Sequence, residues 1–159
     1  MKNEEKDDMK TKAIYSIYMS VDDITSNLVY IIRNKTELRV EAELDDKINK
    51  MANSFFKITN ATTADMIKFA ELHGVFLIDA GNMPYEDSSM EITLENQQEF
   101  LGYLVARLEV ERINLCELVD SLEKEENCQG LKVLMHESAG NILFDILKIR
   151  SEITALLLF

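Results

Sequence analysis

Leu101, Leu108, Leu115 and Leu122 recur at intervals of one heptad, and Leu104 and Leu118 fill the alternate positions of the same stripe. Apolar residues at a mean period of 3.5 share one side of a helix, and that side is made to be buried against other helices. Glu111 stands where a further apolar residue would complete the line. The 3–4 alternation returns elsewhere. It runs through Ile14, Ile17, Val21, Ile24, Leu28 and Ile31, through Leu44, Ile48, Met51, Phe55 and Ile58, and through Met135, Ala139, Ile142, Ile146, Ile149, Ile153 and Leu156. Tyr15, Tyr18, Met19, Val29 and Ile32 widen the first of these stripes, and Leu143, Leu147 and Leu157 flank the last. Faces that broad exceed a two-stranded seam and point to a helical bundle.

Stop and start signals divide the pattern. The first helix is expected from Met9 to Arg33, with Asn34-Lys35-Thr36 as a weak polar break, and the second from Glu37 to Lys57. Thr59-Asn60-Ala61-Thr62-Thr63 reads as a stop followed by a fresh cap, with Asp65 in the next first turn. A third helix then covers Ala64 to Ala80, although Gly74 weakens it and Val75–Ile78 also reads as a short strand. Gly81-Asn82 suits a helix end and Pro84 forbids continuation, so residues 82–92 form an acidic loop. Thr93 caps a helix reaching Glu126, Asn127–Gly130 turns the chain, and the last helix runs from Leu131 to the end. Two long helices joined by so short a turn predict an antiparallel hairpin. The expected fold is therefore all-α, a four- or five-helix bundle, mostly up-and-down, with a long C-terminal antiparallel helical hairpin. Residues 1–12 read as a flexible charged N-terminal arm, and residues 13–159 as a single helical domain.

Charge alters this picture more than composition does. The net charge is −12. Residues 61–92 hold one basic against six acidic residues and residues 93–130 hold three against nine, so eleven of those twelve charges lie there. A chain without a basic surface does not match a phosphate backbone or an anionic membrane, so neither nucleic acid nor membrane is an expected partner. A basic protein or a divalent cation would be attracted instead. No apolar run reaches the length of a membrane span. Residues 1–12 lack the apolar core of a signal peptide. Cys116 and Cys128 have no CxxC spacing and read as two reduced thiols of a cytoplasmic protein.

Candidate chemistry is sparse. A di-iron carboxylate bundle needs Glu-x-x-His, but Ala70 precedes His73 by three positions and Val133 precedes His136. Cys128, His136 and Glu137 have no recognised zinc spacing. His73, which shares a face with Met66, Ala70, Leu77 and Ala80, reads as a core histidine with a hydrogen-bond partner. Glu117-Leu-Val-Asp120 matches the Glu-x-x-Asp half of the Mg²⁺ site of all-helical nucleotide pyrophosphohydrolases, which this chain resembles in size, acidity and helix content. The resemblance implies a metal-dependent enzyme using carboxylates of the 93–126 helix. Its Glu-x-x-Glu half is not matched upstream, because Gln98 stands where a carboxylate is needed, and Glu123–Glu126 lies on the wrong side. Neither Gly-x-Ser-x-Gly nor a glycine-rich phosphate loop occurs.

The expected function is thus a non-catalytic protein–protein interaction or assembly module of the acidic chaperone, adaptor or inhibitor type, with a protein partner or self-association as a homodimer. No catalytic residue, metal or cofactor is expected. The candidate interaction residues are the seam leucines Leu101, Leu108, Leu115 and Leu122, with Glu111, and the apolar C-terminal stretch Ile153, Leu156, Leu157 and Phe159. Glu111 reads most simply as a rim-exposed carboxylate near Arg107 and Arg112, and otherwise as a residue that fixes helix register.

Overall fold

Four α-helices carry the seams of the computed structural model, which describes residues 3–77 and 91–158: α1 (Asn3–Lys35), α2 (Ala42–Leu72), α3 (Gln97–Leu122) and α4 (Gln129–Leu157). No strand occurs among the described residues. α1 packs on α2 and α4, and α3 packs on the same two helices, so each wall touches two neighbours around one core. Ile14, Ile17, Val21, Ile24, Leu28 and Ile31 of α1 are fully buried, as the spacing predicts. No described helix is long and apolar enough to cross a membrane.

Several boundaries differ from the sequence expectation: α2 opens at Ala42 rather than Glu37, and α3 spans Gln97–Leu122 with Asn96 at its cap rather than running from Thr93 to Glu126. α1 begins at Asn3 rather than Met9, so residues 3–12 are helical. This stretch has no glycine or proline, and Glu4 and Glu5 lie in the first turn, where negative charge complements the helix dipole. The expected second and third helices are one continuous α2, because the Thr59–Thr63 break does not occur. The Thr59 hydroxyl donates to the Phe56 carbonyl (3.1 Å), Thr62 to Ile58 (2.7 Å) and Thr63 to Thr59 (2.9 Å). Threonines that bond back onto the preceding turn satisfy their hydroxyls inside a helix, which lets them be buried there instead of capping a new one. Finally, α2 ends at Leu72 rather than Ala80. Gly74 takes the left-handed conformation (φ +71°), and Val75–Leu77 is neither helix nor strand. Val75 and Leu77 are nevertheless buried, and the Tyr15 hydroxyl of α1 donates to the Phe76 carbonyl at 3.3 Å. The expected loop at 82–92 lies outside the described residues except for its last two.

The remaining links are short. α1 runs into a 3-10 turn, Thr36–Leu38, and Arg39 then adopts φ +50°, a left-handed conformation that costs a non-glycine residue roughly 1–2 kcal/mol. Lys35 is buried and meets Asp45 in the first turn of α2 at 2.5 Å, which fixes the angle of this reversal. Before α3, the Thr93 amide donates to Asn96 Oδ1 (2.9 Å) and the Asn96 amide to Thr93 Oγ1 (3.3 Å), a reciprocal pair like a capping box. At the other end, a Cβ on Gly130 would lie 3.1 Å from the Leu38 side chain, so the start of α4 packs against the α1–α2 link and a larger residue there would need Leu38 to shift by a few tenths of an ångström.

The α1–α4 interface contains one conspicuous polar group. Asp145 of α4 is buried against Asp23 of α1. Burial raises its pKa from the ordinary carboxylate range to about 8, and a hydrogen bond and charge repulsion from Asp23 push the same way against the pull of Lys148. The folded chain therefore keeps a proton that the unfolded chain has released. Stability is greatest at the acidic end of this window, falls as pH rises from about 4, and stops falling above about 8. We expect Asp145→Asn to raise the thermal midpoint by several degrees at pH 8 and to leave it almost unchanged near pH 4; parallel pH profiles for the two proteins would contradict this.

Candidate functional site

The leucine stripe lies in the core. Leu101, Leu104, Leu108, Leu115 and Leu122 are all buried, and Leu118 is half-buried. Ile153 and Leu156 are buried in the same core. Of the residues expected to meet a partner, Leu157 faces solvent, and Phe159 lies outside the described residues.

Glu111 is not at a rim. It is 7% exposed, and its Oε1 accepts a 3.0 Å hydrogen bond from the Ser54 hydroxyl of α2. Neither nearby arginine reaches it. Arg107 donates instead to Asp65 of α2 at 2.6 Å, and Arg112 to Glu109 at 2.8 Å. The Asp65 side chain is completely enclosed. Tyr103 lies beneath the Arg107 guanidinium, 5.1 Å from ring centroid to Cζ. Two carboxylates and one guanidinium are thus shut between α2 and α3. Asp65 Oδ1, Arg107 Nε and Glu111 Oε2 have no hydrogen-bond partner among the described residues. Such a pair contributes little net stability, because desolvation offsets the attraction, but removing one partner strands the other. Asp65 has no exposed side-chain surface, and the cluster ties α2 to α3 through Asp65–Arg107 and Ser54–Glu111.

The other titratable candidates do not converge. Among the described residues no three His, Cys, Asp or Glu side chains come together as metal ligands. Glu117 and Asp120 stand exposed on α3. His136 bonds to Glu123, which holds the Glu123 carboxyl below its usual pKa, and Cys116 and Cys128 are free and half-buried. His73 is half-buried rather than a core residue. It closes the end of α2, with Nε2 2.8 Å from Gln97 Oε1 and its ring against Phe69. A groove of about 560 Å³ separates the α1–α2 link from residues 124–131, between Arg39 and Leu44 on one side and Lys124 and Cys128 on the other.

The more telling surface is the outward side of α3 and α4. Val110 is 58% exposed, Ile113 47%, Phe144 67% and Leu147 50%, with Tyr103 and Leu143 also open to solvent. On α3, Tyr103, Val110 and Ile113 stand seven and three residues apart, and on α4 Phe144 and Leu147 stand three apart, with Gly140 and Ser151 beyond them on the same side. Each helix therefore exposes a few large apolar side chains away from the core. Arg150 of α4 lies 3.7 Å from Glu109 of α3, and His136 meets Glu123, so the two helices are in a register that places Ile113 at the level of Leu143–Leu147. The sequence reading took Leu143 and Leu147 as a widening of the core face, and the residues on α3 were hidden behind the stronger leucine repeat. Comparison with family models, with curated proteins and with solved structures finds no match for this chain.

Replacing Arg107 with Ala should cost about 3–5 kcal/mol in urea unfolding, since it leaves Asp65 buried and unpaired. Leu108→Ala should cost about 2–5 kcal/mol by opening a core cavity. Phe144→Ser, on the outward side, should change stability by no more than about 0.5 kcal/mol. A large loss at Phe144 would mean that this side chain is part of the fold and not of a surface.

Proposed function

We propose that this chain is a non-catalytic helical interaction module whose contact surface is the outward side of α3 and α4. The observation that carries the reading is that six large apolar side chains, Tyr103, Val110, Ile113, Leu143, Phe144 and Leu147, stand open to solvent on two adjacent helices. Solvated apolar area of this kind is stabilised by being covered, and contiguous patches of it mark contact sites. In this reading the molecule is an up-and-down bundle in which α3 and α4 form an antiparallel hairpin, a pairing supported by the Glu109–Arg150 and Glu123–His136 contacts. The core seams hold that hairpin rigid, so binding costs little ordering of the surface itself. The proposed setting is the cytoplasm, which keeps free thiols such as Cys116 and Cys128 reduced.

Photo-crosslinking tests this directly. The full chain carrying p-benzoylphenylalanine in place of Tyr103 or Phe144 should form a covalent adduct of defined mass on irradiation in its source cell, and the same group in place of Asp46, on the exposed side of α2, should not. The absence of an adduct from both α3–α4 positions would overturn the reading.

A further inference from the structure

Where α1 meets α4, the apolar seam is interrupted by acid facing acid. Asp145 of α4 is 5% exposed, and its side chain is hydrogen-bonded to that of Asp23 on α1. Two carboxylates only repel, so this bond exists while one of the pair carries a proton. The Asn27 amide donates to Asp23 Oδ2 at 3.3 Å and to the Asp23 carbonyl at 2.9 Å, so Asp23 already serves as an acceptor and Asp145 is the donor of the pair. The Asn141 amide of α4 donates in turn to Asn27 Oδ1 at 3.2 Å, which carries the polar contacts back across the interface. Asp145 Oδ2 is buried and has no hydrogen-bond partner among the described residues.

The surroundings offer no substitute for that proton. On α1 the charged residues at this level are Asp22 and Asp23. On α4 they are Lys148, whose charge favours the ionised form without offsetting burial, and Glu137 about two turns away. α3, the other helix packed on α4, turns Glu109 and Glu123 toward it, and these are met by Arg112 and Arg150 and by His136. An ionised Asp145 would therefore stand against Asp23 in a setting too dry to screen the two. Solvent is nonetheless close by. A cleft of about 350 Å³ lies along the same interface, lined by Asp23, Asn27 and Tyr30 of α1 and by Glu137, Ser138 and Asn141 of α4. To either side the two helices are secured by buried apolar residues: Ile14, Ile17 and Ile31 of α1, and Met135 and Ile153 of α4.

We propose that Asp23 and Asp145 form a proton-operated latch: with the proton in place α4 lies closed on α1, and once it is lost the turns about Asp23 and Asp145 part to admit water from the neighbouring cleft, while the rest of the bundle stays packed. Separation hydrates both carboxylates and removes their repulsion, whereas a closed ionised pair has neither relief. The closed form binds the proton and the open form releases it, so alkaline pH favours opening. Burial pushes the Asp145 carboxyl up to about 8, which keeps the latch closed at neutral pH. Phe144 and Leu147 lie on the segment of α4 that opens. The latch needs no partner, so it holds whether or not α4 contacts another protein.

Hydroxyl-radical footprinting of the full chain at about pH 6.5 and about pH 9.5 tests this, because it labels the side chains that water reaches and so separates local from global opening. Labelling of Ile24 and Leu28 on α1 and of Ile142 and Ile146 on α4, all buried, should rise several-fold between the two. Phe55 and Phe69 of α2 and Phe100 of α3 should stay within about twofold, since their part of the core remains closed. Asp145→Asn supplies a neutral side chain of the same shape and should abolish the rise. Asp23→Asn takes away the facing charge and should at least halve it, and it decides the matter if Asp145→Asn lowers the thermal midpoint at the lower pH. Three results would overturn the latch: labelling that rises equally in all four helices, labelling around Asp145 that does not change, or a rise as large in the folded variants as in the parent chain.

Discussion

Everything in this molecule depends on four apolar seams closing on one another. Each helix contributes side chains at 3–4 spacing, and each packs on two neighbours, so no seam is complete without the others. Phe55, Phe69 and Phe100 are the largest fully buried side chains, and the Phe69 and Phe100 rings stack across α2 and α3 at 5.6 Å. That requirement explains why the leucine repeat of α3 is not a free zipper. A two-stranded coil would use one narrow stripe per helix, whereas α3 must present its stripe to α2 and α4 together.

The buried charges become intelligible within that constraint. Apolar packing alone tolerates sliding of one helix along another, because one leucine fits a hole much as the next one does. Asp65–Arg107 and Glu111–Ser54 fit only one register of α2 on α3. Lys35–Asp45 does the same for the α1–α2 reversal. A buried ion pair is a weak source of stability but penalises any arrangement that leaves its members unpaired, which is how polar groups in a seam specify alignment. Asp145 against Asp23 acts differently. It is tolerated across α1 and α4 because Asp145 keeps its proton near neutral pH, and that makes this interface sensitive to pH.

Helices and core were legible in the sequence because period is a local property. The fully buried α1 residues Ile14 to Ile31 were identifiable from spacing alone. The Thr59–Thr63 segment was not, since a threonine hydroxyl bonds equally well to a following amide as a cap or to a preceding carbonyl inside a helix, and only burial between neighbours decides. The start of α1 is hard to read for a related reason: charged residues are good helix formers and also the usual content of a solvated tail. Glu111 showed itself as an anomaly, but its partner Ser54 lies on another helix, and no short-range rule reaches it. The outward face was visible only in part. Leu143 and Leu147 were noticed, yet assigning them to core or surface required knowing which way α4 is turned.

That orientation matters because the fold does not require the outward face to be apolar. α2 performs the same structural task as α3 and α4, yet its exposed side carries Glu43, Asp46, Lys47 and Lys50, which pair with one another along the helix. Such a surface is what a bundle wall needs: soluble, self-neutralised and indifferent to partners. α3 and α4 depart from it, each with large apolar side chains exposed. Large apolar residues at Val110, Ile113, Phe144 and Leu147 contribute nothing to a core they do not touch, and they carry a solubility cost that α2 avoids. A helix that is apolar on two sides is the pattern of one buried on two sides. The monomer supplies the cover for the inner side of each. The outer sides stay exposed in the single chain.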